Sequence, residues 1–110
     1  MVRQSSPFGG QARTLVLLAI RLLDESYARE LARVLGLPVS GVQMALRGLE
    51  RDGLVAARLA GRTRLFRLNP GYFAREELQR YLRRLTEPED GLRARVAELR
   101  RRPRRTGKPL

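Results

Sequence analysis

The chain has 110 residues, 43% of them apolar, with three Phe, three Tyr and no Trp, so it suits one domain with a modest aliphatic core and excludes two independent ones. Lys and Arg number 23 against 11 Asp and Glu, and the formal net charge of +12 calls for an anionic partner: nucleic acid, an anionic membrane surface or an acidic protein. Cysteine and histidine are both absent, which excludes disulfides, thiolate switches, the common zinc sites and imidazole acid–base chemistry.

Residues 1–10 read as a flexible N-terminus, with one arginine and polar, Pro and Gly residues where a signal peptide has its apolar stretch. The longest apolar run, Leu15 to Ile20, is six residues, against roughly 20 for a bilayer span. No membrane partner is expected, and the protein is expected to be cytoplasmic, associated with the nucleoid. From Gln11 to Leu23 the apolar residues Ala12, Leu15, Val16, Ala19, Leu22 and Leu23 recur at helical intervals, and Leu18 and Ile20 widen that face into a mostly buried first helix. Asp24, Glu25 and Ser26 interrupt it. Tyr27, Leu31 and Val34 then repeat at i, i+4 and i+7, giving a short second helix over Ala28 to Leu35. Gly36 follows where a positive φ lets the chain leave the helix, and Leu37-Pro38 starts a tight turn. A third helix begins within a few residues, with Val42, Ala45, Leu46 and Leu49 inward and Gly53 as its cap past Arg51-Asp52. Two helices joined so closely make a helix-turn-helix.

From Leu54 the period changes. Leu54 to Ala60 and Arg64 to Leu68 read as strands around a Gly61-Arg62-Thr63 loop, a hairpin wing. Asn69 and Pro70 suit the capping and opening of a fourth helix, whose stripe is Phe73, Leu78, Tyr81, Leu82 and Leu85. Thr86 and Glu89 have capping-box spacing, and Leu92, Val96 and Leu99 mark a weaker fifth helix. The expected fold is therefore mainly α with a β-hairpin wing (α+β), about five helices and a two- or three-stranded sheet. Its divisions are a helix-turn-helix domain with its wing over 11–86, a C-terminal helix over 87–99 and a basic, disordered tail over 100–110.

The segments Ala28 to Leu37, Leu49-Glu50-Arg51-Asp52-Gly53-Leu54-Val55 and Gly61 to Pro70, the last ending in Leu68-Asn69-Pro70, resemble the winged helix-turn-helix regulators of the arsenic-repressor-like (ArsR) type, over roughly Ala12 to Leu85. The resemblance implies double-stranded DNA as partner, the third helix in the major groove, the wing on the backbone or minor groove, and terminal helices that pair two subunits. On the third helix Ser40, Gly41, Gln43, Met44, Arg47 and Arg51 lie opposite the apolar stripe. Gln43 can present its amide to adenine, Met44 can touch a thymine methyl, Arg47 can reach guanine or phosphate, and Ser40 with the Gly41 N–H suits a phosphate at the helix start. Alternatively these are solvated residues with Met44 packed inward. For Glu50 and Arg51, near the helix end, an exposed face or a local ion pair is the commoner role.

In the wing, Arg58, Arg62, Arg64 and Arg67 have no acidic residue between Leu54 and Pro70, and Arg62 beside Gly61 is placed to enter a narrow minor groove. Arg67 is equally well read as a surface strand residue. Arg100, Arg101, Arg102, Arg104 and Arg105 of the tail can add sequence-independent affinity by counterion release, or serve only as a solubilising end.

The sequence departs from metal-sensing relatives by lacking cysteine and histidine, so no thiolate or imidazole sensor exists and no metal or cofactor is expected. Pro38 stands where such families often place a capping serine, and Gly48 lies inside the third helix at a cost of about 1 kcal/mol relative to alanine. Close approach of another backbone or flexibility can account for it. The first and fourth helices carry more apolar surface than three helices and a hairpin absorb, which points to a homodimer through Leu15, Leu18, Leu78, Tyr81, Leu82 and Leu85; alternatively the fifth helix covers them within one subunit. Two other functions compete with a DNA-binding regulator: a winged-helix module for an acidic protein, and a non-specific nucleic-acid binder, RNA included. RNA modules favour exposed aromatics, whereas Phe66, Phe73 and Tyr81 fit core stripes. Asp24, Asp52 and Asp90 show no spacing that suggests a metal or acid–base site, so no enzyme is expected.

Overall fold

The first helix, α1 (Gln11–Leu23), buries seven consecutive residues, Thr14 to Ile20. A surface helix buries only a stripe, so burial all round requires neighbours on every side. The computed structural model, which describes residues 7–101, supplies them: α2 (Ala28–Leu35), α3 (Val39–Arg51), strands β1 (Val55–Ala60) and β2 (Thr63–Leu68), α4 (Arg75–Thr86) and α5 (Asp90–Arg101). Helices α2, α3, α4 and α5 and strand β2 all pack on α1, and α5 also packs on α2. The described residues form a mainly α body with a two-stranded antiparallel hairpin after its third helix, the layout of a winged helix. No helix among them is long and apolar enough to cross a membrane.

This arrangement corrects the expected pairing surface. Leu15 and Leu18 of α1 and Leu78 and Leu82 of α4 are buried within the single chain, in one core with Leu92 and Val96 of α5. Counting only three helices and a hairpin overstated the apolar excess, because α5 absorbs it. Of the six expected interface residues only Tyr81, 38% exposed, and half-buried Leu85 retain open surface.

The helix-turn-helix forms as its spacing predicts. Gly36 closes α2 in the left-handed region (φ 68°), and the Leu37 N–H donates to Ala32 O at 3.1 Å. Pro38, in extended conformation, opens α3 without a side-chain cap. Gly48 admits neither backbone nor flexibility but the Arg13 side chain: a Cβ there would lie 2.1 Å from the guanidinium. Arg13 crosses that gap to donate to Asp52 Oδ2 at 3.0 Å, tying α1 to the end of α3.

In the wing, Val55 pairs with Leu68 and the register runs to Ala60 opposite Thr63. The connection is thus Gly61-Arg62 alone, and Thr63 belongs to β2. Gly61 has φ 65° and Arg62 does not have positive φ, the sign pattern of a type II′ turn, which demands glycine first. On its other edge β2 meets Ser26, whose N–H donates to Phe66 O at 3.0 Å while the Phe66 N–H donates to Ser26 O at 2.7 Å. Phe66 is buried, so this one-residue third strand and one ring fix the wing to the body.

Both later helix starts depart from expectation. Asn69 and Pro70 do not open α4: the Asn69 side chain accepts from the Gly71 N–H at 2.9 Å and donates to Gly53 O at 2.9 Å, holding a turn, and α4 starts at Arg75. Phe73 stands before that helix and is 91% exposed, outside the core stripe assigned to it. Thr86 ends α4 instead of capping α5, its hydroxyl donating to Arg83 O at 2.7 Å, and α5 begins at Asp90 and runs through Arg100 and Arg101. Those two arginines therefore belong to a helix, not to a tail, and Arg100 turns back to Leu22 O and, at 3.5 Å, to Asp24. Arg102, Arg104 and Arg105 lie outside the described residues.

Candidate nucleic-acid interface

Between α3 and the wing lies a cleft of about 870 Å³. Its floor is Leu46 and the ring of Phe66; its walls are Gln43, Arg47 and Glu50 from α3, Ala28, Arg29 and Arg33 from α2 with Tyr27 just before it, and Arg62, Thr63 and Arg64 from the hairpin. The elements dictate this convergence. Arg29 and Arg33 stand one turn apart on α2, Gln43, Arg47 and Glu50 are spaced by four and three on α3, and the two-residue turn carries Arg62 to the hairpin tip.

Five arginines therefore face one carboxylate across the cleft, and Arg29, Arg33, Arg47 and Arg62 make no ion pair among the described residues. Arg64 does: its Nη2 donates to Glu50 Oε2 at 2.8 Å, and its guanidinium carbon lies 5.7 Å from the Phe66 ring centre, within cation–π range. The cleft is electropositive on three walls, with Glu50 holding one cation in reserve.

The wing arginines do not act as one set. Arg58 leaves the cleft and forks onto Glu25, donating from Nε to Oε2 at 2.8 Å and from Nη2 to Oε1 at 2.9 Å. That hydrogen bonding first, and the Glu25 charge second, raise the Arg58 pKa above its ordinary value. A pKa raised from an already high value leaves the group cationic throughout the physiological range, so Arg58 is a pH-independent clasp between wing and body. Arg67 faces a different cavity, shared with Arg21 of α1. An acid-free hairpin sequence did not reveal that two of its four cations meet carboxylates from elsewhere in the chain.

On α3, Gln43 and Arg47 wall the cleft, while Ser40 and Met44 are exposed beside it and Gly41 is half-buried. Met44 is 66% exposed, so it is not packed inward. Arg51 has the local ion pair expected near a helix end, with Asp52 at 3.5 Å, whereas Glu50 reaches across to Arg64 of the wing. No family model, curated protein or solved structure matches the chain. The sequence reading missed Arg29 and Arg33, although their i, i+4 spacing opposite Leu31 and Val34 was a usable sign. No three His, Cys, Asp or Glu residues stand together as a metal site among the described residues.

Proposed function

We propose that this protein binds double-stranded DNA in sequence-dependent fashion as a transcriptional regulator of the winged helix-turn-helix, arsenic-repressor-like type. The cleft takes the phosphate backbone, and the exposed face of α3 enters the major groove. One observation carries this: four arginines without carboxylate partners, from α2, α3 and the wing tip, converge on a single concave surface beside exposed Gln43 and Met44. Arginine forks match phosphate and guanine, and the Gln43 amide matches adenine. A duplex suits the surface better than single-stranded RNA, because Phe66 is buried in the floor and Tyr27 half-buried, leaving no open stacking platform in the cleft. The active unit is a homodimer, joined through surface that each subunit leaves open around Tyr81 and Leu85.

The test compares a duplex selected from a random pool with an unrelated duplex. Gln43→Ala and Arg47→Ala each weaken the selected duplex by about 1–3 kcal/mol and the unrelated one far less, while Arg62→Ala weakens both alike. Equal losses on the two duplexes for Gln43 and Arg47 remove them as base readers, and a pool that yields no motif favours an acidic protein partner or non-specific binding.

A further inference from the structure

A second cationic site lies at the seam of α1 and α4, and its residues share nothing with the cleft. Arg21, Arg80 and Arg83, with Gln79 and Glu76, wall a cavity of about 210 Å³. A neighbouring cavity of about 330 Å³ shares Arg21 and Gln79 and adds Arg67 and Leu68 of β2, Ile20 and Asp24. Arg21 carries the one buried side-chain polar atom without a hydrogen-bond partner among the described residues, its Nε. Buried polar groups are nearly always satisfied, and this donor, in a side chain that walls a cationic cavity, still has its acceptor to be supplied. Arg21 and Arg83 have no ion pair among the described residues; Arg80 has only a 3.9 Å approach to exposed Glu77, and Asp24 of the second cavity is engaged by Arg100. Glu76 is the sole carboxylate on the first wall, leaving three guanidinium groups to one.

We infer that Arg21, Arg80 and Arg83 form a binding site for a compact phosphate-bearing anion at the α1–α4 seam. The ligand is small because both cavities lie near or below the lower end of the roughly 300–1,000 Å³ range of small-molecule sites. Phosphate oxygens take the planar guanidinium forks in pairs and supply the acceptor that Arg21 lacks, and Gln79 can donate its amide as well. The site gives a regulator without cysteine or histidine a place to sense an anionic small molecule, and Arg67 on the second wall puts it in contact with the wing strand.

The experiment is thermal unfolding of the full chain at constant ionic strength, with inorganic phosphate replacing chloride. Phosphate is expected to raise the midpoint along a saturating curve, because a ligand of the folded state alone stabilises it by mass action. Half-saturation is expected to move up about tenfold in Arg21→Gln and in the Arg80→Gln/Arg83→Gln double variant, and to stay in place in Arg84→Gln/Arg95→Gln, which removes the same charge elsewhere. Arg80 and Arg83 are exposed, so the double variant keeps the fold even if Arg21→Gln does not. A shift that never saturates, or one identical in the double variant, overturns the site as a bulk ion effect. A loss of duplex affinity in the double variant as large as that of Arg62→Ala also overturns it, because the phosphate would then come from the DNA backbone.

Discussion

Arg13 and Gly48 show how one side chain decides its neighbour. Alanine in place of an interior helical glycine normally gains about 1 kcal/mol, but at position 48 the new methyl displaces the Arg13 guanidinium and its 3.0 Å bridge to Asp52. That bridge is partly exposed, with side chains 26% and 47% accessible, and a pair of this kind contributes only about 0.2–1 kcal/mol. Gly48→Ala is therefore expected to be close to neutral in the natural background and to stabilise by about 1 kcal/mol in Arg13→Ala; equal effects in the two backgrounds, by urea unfolding, exclude the coupling. Glu50 is the counterpart within the cleft. Glu50→Gln frees Arg64 and removes the one negative charge there, so non-specific duplex affinity is expected to rise about two- to fivefold at low salt and the gain to shrink as salt rises. Unchanged or weaker binding in a fluorescence titration contradicts the electrostatic account. At this scale Gln43 and Arg47 were legible because the helical period places them opposite core residues, and Arg62 because it sits at the hairpin tip; the strand period instead puts Arg64 on the same face as buried Phe66, where it stacks on the ring. The partner of Arg58 was not legible, since Glu25 lies 33 residues away and only the folded chain brings it near.

Among the elements, α1 and α2 were legible to their ends, because apolar periodicity marks both, Gly36 stops α2, and the polar run from Asp24, itself at φ 70°, stops α1. The starts of α4 and α5 were not, because the same polar residues serve turns as readily as caps: Asn69 holds a turn, and the Thr86 hydroxyl bonds back within its own helix. The consequence is energetic as well as descriptive. Helix α5 completes the core through Leu92 and Val96, so Leu92→Ala is expected to cost about 2–4 kcal/mol in urea unfolding, the penalty for a cavity against α1. Met44→Ala serves as its contrast. Being 66% exposed, Met44 is expected to change stability by less than about 0.5 kcal/mol while weakening the selected duplex. A near-neutral Leu92→Ala contradicts the role of α5 as the cover of the core.

For the whole molecule the decisive quantities are charge and size. A net charge of +12 attracts any polyanion, so affinity alone does not identify the partner, and symmetry must. The body measures 40 × 28 × 26 Å, and its two shorter dimensions fall below the roughly 34 Å that separates successive major grooves on one face of B-DNA. In the proposed dimer, two copies laid side by side along either shorter dimension would keep within that spacing, each offering α3 to its own groove. With Leu15, Leu18, Leu78 and Leu82 buried, the open apolar positions on α4 are Tyr81 and Leu85 at i, i+4, with Phe8 packed edge-on to Tyr81 at 5.7 Å between ring centres. A two-fold axis at that patch requires an inverted repeat with half-sites about 10 base pairs apart, centre to centre. Tyr81→Glu places a charge at the patch, and is expected to convert the proposed dimer to a monomer by sedimentation equilibrium and to reduce affinity for the full repeat to that for one half-site. A natural chain that sediments as a monomer at micromolar concentration and selects a single unrepeated motif excludes the dimer and leaves the cleft to act alone.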